Sequence, residues 1–210
     1  MDVTPLCALR LRTPRLELRL PRHDELVELR QVARAGIHPP EFMPFAVAWT
    51  DEPYSEGWVV DYMEARLAAW HPDDWGLALG VWSEEGLMGI QDVIGKRFAQ
   101  SRRFATGSWL GERFQRRGYG TEMRAAVLEL GFRGLGAAVA ASGALDGNDA
   151  SLRVSQKLGY RVVGRGEVAP RGVPVGHTDV ELRREDWRPP VPVEIEGLEI
   201  ALPLFGLSSA

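Results

Sequence analysis

The sequence predicts a single mixed α/β (α+β) domain, and three observations carry that prediction. Composition is ordinary for a globular chain, 45% hydrophobic and 26% charged over 210 residues, which is long enough to bury a sizeable core. Seven short segments have strand patterning and four have the three-and-four apolar spacing of helices. They run strand, two helices, three strands, helix, strand, helix, two strands, with no internal repeat, so both kinds share one interleaved core.

Residues 16–20, LELRL, alternate as a strand does. HDELVELRQVARAG (23–36) reads as a helix with an acidic first turn, an inner face of Leu26, Leu29, Val32 and Ala33, and a terminal glycine. Residues 37–54 carry four prolines among large apolar groups, too apolar for a solvated linker and too proline-rich for a regular element, so a folded loop is expected. Trp58, Tyr62, Ala65 and Ala69 space a helix over 55–70. WGLALGVWS (75–83), GLMGIQDVIG (86–95) and ATGSWLG (105–111) read as strands, the first two joined at Glu84-Glu85-Gly86. After Gly120, Met123, Ala126, Val127 and Leu130 mark a helix that Gly131 to Gly136 ends. AAVAASGA (137–144) is a strand of small residues, 149–158 a short helix stopped by Gly159, and YRVVGRGEV and GHTDVELRREDW are the last core strands.

Beyond Trp187 the chain resumes as a proline-interrupted arm, 188–210, expected as a hairpin or strand. An arm this apolar docks on its own domain or crosses to another copy, so a homodimer or higher homo-oligomer is expected. With 25 Lys and Arg against 29 Asp and Glu, the net charge of −4 argues against a nucleic-acid partner. No stretch has membrane-spanning length and the N-terminus lacks the apolar run of a signal peptide, which implies no membrane partner and a cytoplasmic location. The single cysteine, Cys7, cannot form an internal disulfide, and no Cys/His cluster has zinc spacing, so no metal is expected.

The stretch with chemical content is FQRRGYGTEMRAAVLEL, 114–130. A helix's first amides lack intrahelical partners and sit at the positive end of its dipole, so a glycine-containing approach lets an anion reach several N–H groups. Gln115-Arg116-Arg117-Gly118-Tyr119-Gly120 suits a pyrophosphate, with Arg116 and Arg117 adding charge. No Gly-Lys-Ser/Thr follows and the Gly-x-Gly-x-x-Gly pattern is absent, which excludes the common nucleotide and dinucleotide loops. Alone, a Gly-x-Gly ahead of a helix fits a plain helix entry equally well, and context decides.

That context resembles motif A of the GNAT (GCN5-related N-acetyltransferase) superfamily, Gln/Arg-x-x-Gly-x-Gly/Ala, flanked here by GSWLG before and TEMRAAVLEL after. NDASLRVSQKLGYR, 148–161, is similar to the family's motif B, Asn-x-x-Ser followed by Lys-Leu-Gly-Phe/Tyr. The resemblance covers about residues 10–187 and is closest to the subgroup of ribosomal-protein N-terminal acetyltransferases and related small-molecule acyltransferases. It implies a mixed, mostly antiparallel sheet of six to seven strands flanked by about four helices, splayed between its fourth and fifth strands.

The resemblance further implies acyl-CoA as co-substrate, acetyl-CoA or a larger donor such as succinyl-CoA. Its pantetheine arm would pair with the backbone of Ser108, Trp109 and Leu110, and its pyrophosphate would lie on Gln115, Arg116, Arg117, Gly118, Tyr119, Gly120 and Thr121. Asn148 and Ser151 would face the same gap, and Ser155 occupies the position of the catalytic acid. Glu122, in a helix's first turn, is expected to serve the dipole. No carboxylate stands early in the fourth strand, which leaves the general base open among an ordered water, Asp92 and Glu41. The acceptor is an amine of a small molecule or a protein, walled by the loop bearing Phe42, Met43, Phe45 and Trp49 and by the segment near His177. The alternative is a non-catalytic acyl-CoA-binding or regulatory module.

Overall fold

Nine strands form one sheet in the computed structural model, which describes residues 1–51 and 58–207 and, in its second helix, no side chain before Val60. In chain order they are β1 (Arg10–Arg12), β2 (Glu17–Arg19), β3 (Asp74–Ser83), β4 (Gly86–Lys96), β5 (Arg103–Leu110), β6 (Val139–Leu145), β7 (Arg161–Val168), β8 (Val175–Arg183) and β9 (Glu194–Glu196). The spatial order is β7-β8-β6-β5-β4-β3-β2-β1-β9. Every pairing is antiparallel except β5 with β6. The helices among the described residues are α1 (Glu25–Arg34), α2 (Trp58–Ala68), α3 (Phe98–Ser101), α4 (Tyr119–Glu129), α5 (Asp149–Lys157) and α6 (Leu198–Ala201). None is long and apolar enough to cross a membrane. The expected helix over 55–70 begins in part outside the described residues, as does the side chain of Trp58.

The seven expected strands and four expected helices are all present, and the sheet is larger than six to seven strands because β1 and β9 extend its edge. The two added helices, α3 and α6, are single turns of four residues each, too short to show helical periodicity. Two packed layers cover the sheet. On one face α1 lays Leu26 and Leu29 against Ala78, Leu87 and Ile90, with Met63 of α2 beside them. On the other face α4 is enclosed on all sides, every residue from Glu122 to Glu129 being buried, so it serves as the central strut between sheet and α5. Its run continues as a π-helical turn, Leu130–Gly134, where Gly131 faces the Phe104 ring so closely that a Cβ would lie 2.3 Å from it.

The C-terminal arm takes the second of its two expected forms, a strand and not a hairpin. It forms one strand, β9, paired with β1 (Leu11 opposite Ile195), then turns at Gly197 into α6 and a 3-10 turn, Leu202–Phe205. Gly197 has φ +70 and a Cβ there would meet the Ala8 carbonyl at 2.3 Å, so the alternating pattern breaks at the one residue able to make this turn. Four of the arm's apolar side chains, Val193, Ala201, Leu204 and Phe205, are buried within the same chain, while Ile200 is exposed.

Candidate active site

The parallel β5–β6 ladder lasts three pairs, from Arg103–Val139 to Ala105–Ala141. Beyond Ala141 the β6 backbone turns to β8 alone, and β5 keeps only β4. At the fork, side chains bridge what the backbones no longer do: Thr106 Oγ1 donates to the Ala141 carbonyl (3.4 Å) and Ser142 Oγ to the Thr106 carbonyl (3.3 Å). The wedge opens into a cleft of about 670 Å³ bounded by β5, β6, the mouth of α4, α5 and the loop after α1.

Ser108, Trp109 and Leu110 line this cleft with backbone that no neighbouring strand claims on the β6 side. At its mouth Gly118 caps α4 with φ +86, a conformation that glycine adopts without strain. The Thr121 and Glu122 amides donate to the Gly118 carbonyl, so the amides before them are without intrahelical partners. Arg116, itself left-handed at φ 59 and exposed, lines the mouth with Gly118, Gly120 and Thr121. Gln115 has a tethering task, its Nε2 donating to the carbonyls of Ile37 (2.7 Å) and Leu110 (2.8 Å).

Three expected participants turn elsewhere. Arg117 makes a two-armed ion pair with Glu85 (3.0 and 2.5 Å), and Tyr119 lies between Arg15 and Arg117 with its hydroxyl 3.3 Å from the same carboxylate. Their side chains therefore face the β3–β4 turn, and the arginine charge at the cleft mouth comes from Arg116. Ser155 is 2% exposed and absent from the cleft lining. Its Oγ donates back to the Ser151 carbonyl (3.1 Å) and accepts from Arg124 Nη1 (3.0 Å). Glu122 is buried and anchors the N-terminal segment, accepting from Thr13 Oγ1 (2.7 Å) and from Arg15.

On α5, Asn148 caps the helix by accepting from the Ser151 amide (3.1 Å), and its Nδ2 faces the Pro44 carbonyl at 3.4 Å. Asn148 and Ser151 both line the cleft. The proline-rich loop lies over it: Phe42 and Phe45 face the cavity, Met43 is buried, and the Trp49 ring packs at a tilt against Phe45 (5.0 Å) and Trp109 (5.9 Å). Arg171, from the β7–β8 turn, ties the loop down through Asp51 (2.6 Å) and the Pro40 carbonyl (2.9 Å). His177, on β8, lines the cleft with Asp179 3.2 Å from its Nδ1.

Two groups carry unusual electrostatics. Asp92 on β4 stands opposite Gly107 of β5, and burial pushes its carboxyl up to about 6 against the pull of the Arg66 charge. Gly107 lines the cleft and Asp92 does not: the carboxylate lies behind this part of the wall, where a Cβ at Gly107 would sit 3.9 Å from its Oδ2. Glu41 is exposed on the loop. The second group, Arg124, is a buried guanidinium in the middle of α4 that also reaches the cleft. Sequence reasoning passed over it because MRAAVLEL reads as an apolar face with a polar back, whereas α4 has no solvent side.

The acetyltransferase (GNAT) domain model matches residues 15–161. Among solved structures, the chain is similar to Mycobacterium smegmatis RimJ in complex with CoA-disulfide, with TM-score 0.70 and 16% identity over 86% of this chain and 90% of that one. It is similar also to a ribosomal-protein-S5-alanine acetyltransferase from Vibrio fischeri, with TM-score 0.63 and 15% identity over 86% and 99%. The microcin C7 self-immunity acetyltransferase MccE, in complex with acetyl-CoA and AMP, gives TM-score 0.66 and 16% identity over 81% and 93%.

Proposed function

Since the chain belongs to the GNAT acetyltransferase family, we propose that it moves an acetyl group, or a related acyl group such as succinyl, from acyl-CoA to a primary amine by direct attack in a ternary complex, in the cytoplasm. The observation that carries this reading is the three-pair limit of the β5–β6 ladder, which leaves strand backbone and helix-mouth amides along one continuous cleft. The donor's pantetheine amides would pair with Ser108, Trp109 and Leu110 as an added strand does. Its pyrophosphate would take the amides around Gly118, Gly120 and Thr121 with Arg116 alongside, and Asn148 and Ser151 would flank the arm from α5. The acceptor, a small-molecule or protein amine, would enter under the loop carrying Phe42 and Phe45.

Attack requires a neutral amine, and Asp92 is the base best suited to keep it so. A carboxyl lifted to about 6 is ionised at neutral pH yet basic enough to hold a proton, and from its place opposite Gly107 of the cleft wall it would act through an ordered water. A base works only when ionised, so kcat/KM will rise with pH through about 6. Asp92→Asn will lower kcat about a hundredfold and remove that limb from the pH–rate profile, the scale expected for general base catalysis. A profile that keeps the limb in the variant would shift the role to water or another group.

The function itself is tested by thiol release. Purified protein is offered acetyl-CoA and succinyl-CoA with a panel of amines and N-terminal peptides, and free CoA is followed together with the mass of the acceptor. Turnover with one pair supports the transferase. Tight CoA binding by calorimetry with no thiol released from any pair would favour a non-catalytic acyl-CoA-binding module instead.

A further inference from the structure

Arg124 is the buried charge of the cleft, and the proposed function gives it no task. Its side chain is 4% exposed, its Nη1 donates to Ser155 Oγ (3.0 Å), its Nη2 lies 3.5 Å from Ser108 Oγ, and its Nε has no partner. No carboxylate pairs with it among the described residues. Burial pulls the guanidinium down from the ordinary arginine range, and burial pushes the neighbouring Tyr160 phenol up while the Arg124 charge draws it back. An arginine kept inside at such a penalty, with an unpartnered donor and hydrogen bonds only to hydroxyls, is suited to receive an anion.

Position narrows the anion. Diphosphate charge belongs at the mouth of α4, around Gly118 to Thr121, whereas Arg124 lies about one turn further in, hydrogen-bonded to Ser108 on β5 and Ser155 on α5. At that depth an acyl-CoA bound as proposed brings its thioester, which is neutral before reaction and releases a thiolate after it. We propose that Arg124 is the charge partner of the departing CoA thiolate, and that Ser155 is the residue that aims it. Ser155 has its proton committed to the Ser151 carbonyl and a lone pair committed to Arg124, the arrangement of a bracket for the guanidinium.

The step balances without an acid from the chain. The amine's lone pair forms the new C–N bond, the C–S electron pair leaves on sulfur, and the ammonium proton passes to the base. The thiolate is held by the buried cation until CoA departs. A thiol near 8.5 in water loses its proton far more readily beside a fixed positive charge. The other charged or titratable groups lining the cleft are His38 on the loop after α1, Arg116 at the mouth, Asp149, Arg153 and Lys157 on α5, and His177 on β8, and none of them hydrogen-bonds to Arg124.

This inference rests on the acyl-CoA reading, and one experiment separates the two. CoA is titrated into the wild type, Arg124→Met, Arg124→Lys and Ser155→Ala. Affinity is read by calorimetry and the protonation of the bound thiol by ultraviolet thiolate absorbance across pH. The bound thiol in the wild type is expected to be at least about tenfold more acidic than free CoA, as cysteines beside a cation are. Arg124→Met returns it to the free value, Arg124→Lys and Ser155→Ala fall between, and Kd for CoA at about pH 6.5 to 7, where the free thiol is protonated, changes less than about threefold because the diphosphate contacts are intact. Acetyl transfer by Arg124→Met drops about a hundredfold in kcat, the loss typical of one preorganised charge contact.

A bound thiol equally acidic in the wild type and Arg124→Met overturns the assignment. Loss confined to succinyl-CoA, with acetyl transfer and thiol acidity unchanged, overturns it in favour of an acyl carboxylate on Arg124. Wild-type protein that binds no CoA overturns the acyl-CoA reading and this inference together. Methionine in place of a buried arginine removes an unpaired charge, so Arg124→Met should fold. If it does not, Arg124→Lys and Ser155→Ala carry the same comparison.

Discussion

Gly120→Val will raise the Kd for CoA about a hundredfold, close to 2.7 kcal/mol, while leaving the melting temperature within a few degrees of the wild type. The fold has room at this position: a Cβ at Gly120 would sit 3.7 Å from Val154 Cγ2, an ordinary contact, and the residue lies in α4, where glycine is the poorer helix former. The cleft has no such room, since Gly120 lines it beside the opening amides that would receive the pyrophosphate. Gly118 makes a contrasting control. Its φ of +86 is strained for any other residue, so Gly118→Val is expected to lose both affinity and stability. Calorimetry with CoA and thermal denaturation of the two variants check the pair; an unchanged Kd in Gly120→Val would remove the pyrophosphate from the helix mouth.

Phe205→Ala will destabilise the fold by about 3 to 5 kcal/mol, lowering the melting temperature by about 10 °C. Phe205 is fully buried and meets Trp75 at 4.9 Å and Trp70 at 5.5 Å, both edge-to-face. Trp75 in turn packs on Phe98, and Trp70 Nε1 donates to the Leu204 carbonyl at 2.8 Å. The phenyl group thus fills the closing position of a four-ring cluster, and its removal leaves a cavity that the indoles cannot collapse into without breaking that hydrogen bond. Ile200, 54% exposed on the same arm, gives the comparison: Ile200→Ala should cost less than about 0.5 kcal/mol. Equal melting temperatures for the two variants would mean the arm contributes little to the core.

The cleft was legible in the sequence where backbone does the work. Gly107 to Leu110, the glycines of 118–120 and the Asn148 cap are local signals, each readable within a few residues, and all line the same cavity. What escaped is what depends on distant packing. Arg117 looks like a phosphate ligand until Glu85, 32 residues away, proves to hold it. Ser155 looks like an acid by its place before Lys157-Leu158-Gly159, yet its surroundings are set by Arg124 on another helix. The arm reads as a hairpin or strand because its apolar alternation continues through Gly197, and the strand ends there in a turn packed against the Ala8 carbonyl. Trp70 and Phe205 announce nothing about each other across 134 residues of chain between Trp70 and its neighbour Leu204.

The abrupt end of the β5–β6 ladder also links ligand concentration to folding. A sheet that stops pairing at Ala105 leaves its own hydrogen bonding incomplete, and a bound donor would complete it only in the native state. Folding and donor binding are then one coupled equilibrium, in which a ligand at a hundred times its Kd adds about 2.7 kcal/mol to the stability of the chain. The thermal midpoint of this protein becomes a gauge of its acyl-CoA supply, and the wedge that admits the substrate is the place where that supply is registered.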